Sequence, residues 1–294
     1  MSEDYRLDGT LLSVEDVSVS LGGRLILDGV NAKIENIVRP NCLQGQVVGL
    51  LGPSGAGKTT LFRVMGGFLK PDKGRVLIRK HGIEDKPDFD PNNDAVNLEP
   101  THSGRMGIVT QAYRVFHHLT VIDNLIVAGL KAGLTKAQAK EKAEALLDRF
   151  GILDRKDLWP MGGQISGGQR QRVAIIQQIM AGHRIICMDE PYSGLDPKQK
   201  FKVSRLISEI TSVDELLTIV VVTHDIAEAV AATDHLWLMG KEKDPETGAF
   251  IDGAKILSIY DLIGIGLAWH EDVRMMPEYR ELVSQITERF ESLS

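Results

Sequence analysis

Eight consecutive residues, Gly52-Pro53-Ser54-Gly55-Ala56-Gly57-Lys58-Thr59, fit the pattern G-x-x-x-x-G-K-[ST] in full. The glycines in such a loop let backbone N–H groups turn inward around a β-phosphate, and the following helix adds the positive end of its dipole. The Lys58 ammonium then reaches the β- and γ-phosphates and the Thr59 hydroxyl ligates Mg²⁺. Two further segments carry related chemistry. Ser166-Gly167-Gly168-Gln169 opens a helical pattern with small residues and free backbone donors, a second anion-binding element. The same residues also read as an ordinary serine N-cap followed by flexible glycines. Ile185–Met188 is an apolar run that ends in Asp189-Glu190. A carboxylate there can hold Mg²⁺ through water while its neighbour polarises an attacking water.

These groups need elements to hold them. The phosphate loop sits between a strand pattern, Val47–Leu51, and a helix pattern, Thr59–Val64. Before it, Leu11–Ser20 alternates apolar and polar residues, Gly22-Gly23 is a turn, and Leu25–Ile34 reads as a second strand. The polar stretch Arg79–Arg105, with Pro87, Pro91 and Pro100, reads as a long surface excursion. After it come helical patterns at Val121–Gly133, Thr135–Phe150, Gly167–Ala181, Lys198–Ile210 and Asp225–Ala232. Strand patterns fall at Arg184–Met188, Leu217–Val222 and His235–Met239, the last expected to close the series. Strands alternating with helices predict an α/β fold with a mostly parallel sheet covered on both faces.

Composition narrows the function. The 294 residues carry a formal net charge of -6, which disfavours binding to nucleic acid through phosphate contacts. Two cysteines, Cys42 and Cys187, form no disulfide framework and fit a reducing compartment. The N-terminal MSEDYRLDGT is unlike a signal peptide, and no run approaches the roughly 20 apolar residues of a membrane span.

Taken together, the motifs resemble the ATP-binding cassette (ABC) ATPases over roughly Leu11 to Met239. Gly52–Thr59 resembles the Walker A loop, Ile185–Glu190 resembles Walker B, and Ile165–Gln169 is similar to the family signature, with isoleucine where leucine is usual. Gln111, after the strand pattern Met106–Thr110, matches the Q-loop glutamine. Ser193-Gly194-Leu195-Asp196 resembles the D-loop, and His224 matches the switch histidine. The resemblance implies a P-loop NTPase core of RecA type, with an N-terminal antiparallel β element and an inserted α-helical subdomain at about 112–165. It further implies an ATPase domain over 1–253, a polar insertion at about 80–104 and a C-terminal helical extension at 254–294.

The resemblance also assigns roles. ATP would lie on Gly52, Pro53, Ser54, Gly55, Ala56, Gly57, Lys58, Thr59 and Thr60, with Mg²⁺ held by Thr59, Gln111 and Asp189. Glu190 would be the general base or the water-orienting carboxylate. Gln111 would complete the Mg²⁺ and water shell and sense the γ-phosphate, and His224 would contact the γ-phosphate and hold the water geometry. Ser166 and Gly168 would close over the γ-phosphate of ATP held by an opposite subunit, so that two chains pair head-to-tail, and Gly167, Gln169 and Asp196 would be further nucleotide-binding residues. One departure concerns the base: Leu21 stands where the family usually places an aromatic residue that stacks on adenine. Either Leu21 packs on the base or Tyr5 substitutes, and weak discrimination between ATP and GTP is expected.

Several other features have blander readings. Asp88, Asp90, Asn92 and Glu99 take EF-hand-like positions, but Asn93 replaces the glycine and Pro91 stiffens the turn, so a solvated acidic loop is expected. His117 and His118 adjoin on a loop and are poor chelators of one ion. Cys187 reads as a buried small hydrophobe, and Trp159, Trp237 and Trp269 as packing residues. The resemblance implies a transport subunit acting with a separate integral membrane permease, peripheral on the inner face of the cell membrane. A solute-binding protein is a possible third partner. The segment Thr223–Ala232 favours import. Lipid or lipoprotein export, and a soluble role on chromosomes or ribosomes, remain as alternatives. The amphipathic tail is expected to pack on its own core.

Overall fold

In the computed structural model, which describes residues 5–39, 44–87, 89–160, 163–270 and 272–293, the alternating N-terminal segment is a strand of sixteen residues, β1 (Arg6–Leu21). The Gly22-Gly23 turn returns the chain as β2 (Arg24–Val38), with Leu21 opposite Arg24 and Arg6 opposite Val38. The chain divides into two compact units, Met1–Arg105 with Glu190–Ser294, and Met106–Asp189.

In the first unit, β1 and β2 belong to an antiparallel sheet ordered β2-β1-β4-β5, where β4 is Lys73–Arg79 and β5 is Leu98–Pro100. This corrects the reading of Arg79–Arg105 as a surface excursion. The segment returns as a helical turn, α2 (Asp94–Asn97), and then pairs β5 with β4 through Ile78 and Glu99. Ile83, Asn97 and Leu98 are buried, so local polarity concealed a strand whose partner lies about twenty residues back.

The second sheet of this unit centres on β3 (Gln46–Leu51), which runs parallel to β8 (Thr218–Thr223) and to β9 (His235–Gly240). Every residue of β3 and β8 is buried, as expected of strands covered on both faces, and this accounts for their unbroken apolar runs. The helices α1 (Lys58–Met65), α6 (Pro197–Thr211) and α7 (Ile226–Ala232) complete this part.

Contrary to expectation, His235–Met239 does not close the series. The strand β10 (Lys255–Asp261) lies antiparallel to β9, with Ile259 opposite Trp237. Its residues are only partly buried or exposed, the signature of an edge, and that weakened its pattern in the sequence. The chain then ends in α8 (Pro277–Glu291). Leu262, Leu267, Val273, Leu282 and Ile286 share one apolar cluster with Ala229 and Val230 of α7 and with Leu236 and Leu238 of β9. The tail therefore packs on its own core, as expected.

The second unit holds β6 (Gly107–Val109) parallel to β7 (Ile185–Asp189), with the helices α3 (Val121–Lys131), α4 (Lys136–Arg149) and α5 (Gly167–Met180). Thr135 caps α4 through a reciprocal pair with Gln138, the local signal that fixes where this helix starts. Among the described residues no helix is long and apolar enough to cross a membrane. The fold class is the α/β arrangement expected from the alternation of elements.

Candidate functional site

The phosphate loop leaves buried β3 at Leu51 and enters α1 at Lys58. Two glycines make the loop possible. A side chain on Gly52 would bring its Cβ within 2.5 Å of the Met239 carbonyl oxygen of β9. Gly57, the N-cap of α1, adopts φ 79, where an L-side chain is strained. Ser54 and Gly55 are exposed at the tip, Pro53 is half-buried, and Ala56 is buried beneath it. Lys58 is 8% exposed, and its ammonium donates to the carbonyls of Gly52 at 2.6 Å and Pro53 at 3.0 Å. A buried cation held over a loop of N–H donors at a helix start is a site for a polyanion. Thr59 is exposed and Thr60 half-buried on the first turn of α1.

A second constellation in the same unit joins residues far apart in sequence. Glu190 adopts φ 51, a left-handed conformation that costs a non-glycine residue on the order of 1–3 kcal/mol. Its amide donates to the Val222 carbonyl of β8 at 2.8 Å, and its own carbonyl accepts from Ser193 at 3.2 Å. The turn aims the carboxylate at the end of β8. There His224 Nδ1 lies 2.9 Å from Oε1, and the Thr223 hydroxyl donates to Oε2 at 3.5 Å. Since an ionised carboxylate only accepts, Nδ1 is the donor. The pair stands open to solvent, His224 being more than half exposed. A carboxylate so held can accept a proton from, or orient, a water molecule.

Asp196 also belongs to this unit. Its carboxylate caps α6, accepting from the Gln199 amide at 2.9 Å. Lys200, one turn into α6, reaches Asp225, the N-cap of α7, at 2.5 Å. The Lys200–Asp225 contact beside this constellation was not foreseen from the sequence, although the positions of the two residues just after Asp196 and His224 were the available signal.

In the second unit, Gln111 is exposed just after β6, before a turn in which Tyr113 takes φ 42. Asp189 ends β7 half-buried. Ser166 and Gln169 form a capping box, the hydroxyl accepting from the Gln169 amide at 3.2 Å and the Gln169 side chain accepting from the Ser166 amide at 2.8 Å. Gly167 and Gly168 are exposed, and a Cβ on either would meet nothing within 4 Å. The N-cap reading of this segment is thus realised, and its glycine face is open to approach.

Tyr5 does not take the place of the missing aromatic. It precedes β1, at the opposite end from Leu21, and its hydroxyl donates to Asp261 at 3.1 Å, leaving Leu21 as a 42% exposed apolar surface beside the Gly22-Gly23 turn. Of the EF-hand-like positions, Asp88 lies outside the described residues, Glu99 pairs with Arg105 at 3.0 Å, and Asp90 accepts from the Asn92 amide. Among the described residues no group of three or more His, Cys, Asp or Glu is arranged to hold a metal ion. His117 and His118 are exposed, the latter edge-on to Phe116. Cys42 lies outside the described residues; Cys187 is fully buried, and burial pushes its thiol well up.

A parallel strand feeding a glycine loop with a buried lysine, within an α/β core, defines a P-loop nucleoside triphosphatase. Residues 36–193 match the ABC transporter family, and the chain belongs to it. It is similar to the lipoprotein-releasing system ATP-binding protein of Saccharophagus degradans, 37% identical over 69% of this chain and 82% of that protein. It is also similar to the L-cystine import ATP-binding protein of Bacillus subtilis, 32% identical over 84% of this chain and 89% of that one. The cbiO1 chain from Clostridium perfringens, part of the ABC transporter complex cbiONQ, shares the fold with a TM-score of 0.66 at 23% identity. That match covers 96% of this chain and 98% of the other. The chain is an ABC ATPase subunit of a transport system, and ATP is its nucleotide.

Proposed function

We propose that two such chains pair head-to-tail, hydrolyse ATP and drive solute import through a separate membrane permease, which holds them at the inner face of the cell membrane. The observation that carries the permease partnership lies within the second unit. A cavity of about 430 Å³ is lined by Val115, Phe116, Val127 and Ala128 together with the cations Arg114 and Lys131 and the polar Gln177, Gln178 and His183. Phe116 is 45% exposed and Val127 42%. A largely apolar groove that includes two cations suits a short amphipathic helix, whose apolar side fills it while acidic residues meet Arg114 and Lys131.

Hydrolysis follows from the residues already described. Lys58 and the loop amides hold the phosphates, and Ser54, Gly55 and Thr60 complete the cradle. The proposed metal donors, the Thr59 hydroxyl, the Gln111 amide and the Asp189 carboxylate, are all oxygen, which suits Mg²⁺. The ion supplies charge neutralisation on the transferring phosphoryl group. Glu190 accepts a proton from the attacking water, His224 fixes that carboxylate, and Gln111 reports the presence of the γ-phosphate. Ser166, Gly167, Gly168 and Gln169, with Asp196, act across the pair on the opposite subunit's nucleotide. One P-loop and one Ser-Gly-Gly segment per chain support that geometry.

Pull-down of the tagged chain from detergent-solubilised native membranes tests the reading. A polytopic membrane protein at matching stoichiometry, lost when Phe116→Glu and Val127→Asp are introduced together, is the expected result. Recovery without any membrane protein would overturn it. Export is the second reading, favoured by the likeness to the lipoprotein-releasing protein; a co-purifying solute-binding protein would decide for import.

A further inference from the structure

The helix α7 has seven residues, too few to hold its shape or direction unaided, so the groups packed on it set its pose. It begins two residues after His224. Lys200 holds its N-cap Asp225, and the Asp225 carboxylate in turn accepts from the Glu228 amide at 3.0 Å. Glu228, on the first turn, is only 4% exposed, and a buried carboxylate requires donors and a counter-ion. The Ser204 hydroxyl of α6 donates to its Oε2 at 3.1 Å, and the Arg274 guanidinium donates to the same oxygen at 2.7 Å. One residue earlier on the helix, the Ala227 carbonyl accepts from the Tyr279 hydroxyl at 3.1 Å. Arg274 and Tyr279 both come from the segment after β10. The counter-charge of Glu228 and a further tie to α7 are therefore supplied by the C-terminal extension.

Ala229 and Val230, past the first turn of α7, share one apolar cluster with Leu262, Leu267 and Ile286 of the same extension, and non-directional packing there does not fix how the first turn is rotated. The polar ties do fix it, because the Arg274 hydrogen bond is directional and charge-assisted and its acceptor, the Glu228 carboxylate, is buried. We propose that Arg274 is a positioning residue for ATP hydrolysis. Through Glu228 it sets the first turn of α7, and so the backbone of Thr223–Asp225 that carries His224 to 2.9 Å from Glu190. The proposal rests on the reading that the Glu190–His224 pair performs the hydrolysis. It gives the extension a role in turnover beyond packing. A displacement of about 1 Å at such a pair is enough to cost on the order of 100-fold in rate.

The test uses the purified full-length chain and its ATP hydrolysis at varied nucleotide concentration. Arg274→Met lowers kcat at least about tenfold and leaves KM for ATP within about twofold, because the phosphate loop lies on β3 and α1 and not on α7. Arg274→Lys, which keeps a cation, restores most of kcat. Adding Glu228→Gln to Arg274→Met removes the unpaired buried charge without restoring the tie, so thermal stability recovers while kcat stays low; recovery of kcat in this double variant would overturn the proposal. Tyr279→Phe leaves no charge uncompensated and guards against misfolding of the arginine variant; it gives a smaller kcat loss, about threefold, with KM again unchanged. A folded Arg274→Met variant with kcat within twofold of the parent overturns the proposal. So do parallel changes in kcat and KM, or loss of thermal stability as the sole effect. Glu190→Gln is run alongside. If that variant is inactive and Arg274→Met is unaffected, the positioning role alone fails; if Glu190→Gln turns over normally, the catalytic reading beneath it fails.

Discussion

The carboxylate of Glu190 and the imidazole of His224, 34 residues apart in sequence, meet at 2.9 Å where the chain leaves β8. The contact depends on the left-handed backbone of Glu190, which turns its side chain toward the β8 terminus. Strain held at a polar, solvent-facing pair is the pattern of a working site, since nothing in packing alone requires it.

Glu190→Gln keeps the shape of the side chain and its contact with His224 but cannot take a proton. Turnover drops by about 10²–10⁴-fold, while ATP affinity stays within a few-fold of the parent. Phosphate release and nucleotide titration check the two parts separately. His224→Ala releases the carboxylate instead and lowers turnover by about 10²-fold.

The proposed nucleotide site sets Leu21, an exposed apolar side chain, where a stacking ring would hold the base. An apolar side chain contacts a purine ring without stacking on it, so kcat/KM for ATP and GTP should lie within about tenfold of each other. Leu21→Tyr adds a ring worth about 1 kcal/mol and raises affinity for ATP roughly fivefold. Tyr5→Ala leaves the ATP-to-GTP ratio unchanged, because Tyr5 lies at the far end of β1. A strong ATP preference in the parent chain would contradict this account.

The acid limb of stability carries a contribution from Asp225. Burial works against its ionisation, but the Lys200 ammonium and the Glu228 amide outweigh burial and hold its carboxyl below the usual 3.8. A depressed folded value means that the contribution is present above about pH 3.8 and is lost as pH falls through the folded value. Lys200→Met therefore destabilises the chain by a constant amount from pH 7 to roughly pH 5, and the difference from the parent closes below that window. Chemical denaturation across pH reads the difference directly.

The start of the C-terminal extension is pinned by a buried charge cluster. Arg39 pairs with Asp234 at 2.5 Å, the Val47 amide donates to the other oxygen at 2.6 Å, and the Trp269 indole donates to Asp234 as well. Arg39 also lies over the Trp269 ring at 5.3 Å. Asp234→Ala strands a buried guanidinium and costs about 3–5 kcal/mol. Trp269→Phe keeps the ring and loses one donor, costing about 1–3 kcal/mol. Ending the chain at Gly253 uncovers Val230, Leu236 and Leu238 at about 1.5–3 kcal/mol each, enough to remove most of a typical domain's stability. Thermal unfolding ranks the truncation most severe, Asp234→Ala next and Trp269→Phe mildest.

The elements that were legible in the sequence are those whose signals are local. The phosphate loop is fixed by glycines that only close approach and positive φ explain, and the loop's place after a strand follows from the unbroken apolar run of β3. Thr135 and Ser166 each announced a helix start, because a capping side chain acts within three residues of itself. β5 and β10 stayed hidden for the opposite reason. The short β5 takes its stability from β4, and β10 lies at an edge where apolar alternation is weak. Residue types and order along the chain thus determined the nucleotide chemistry and the alternation that builds the sheet. Tertiary structure decided that Glu190 meets His224, that Tyr5 is remote from Leu21, and that Arg274 neutralises Glu228. Such pairings depend on distance in space, which sequence spacing does not encode once the chain has folded back on itself.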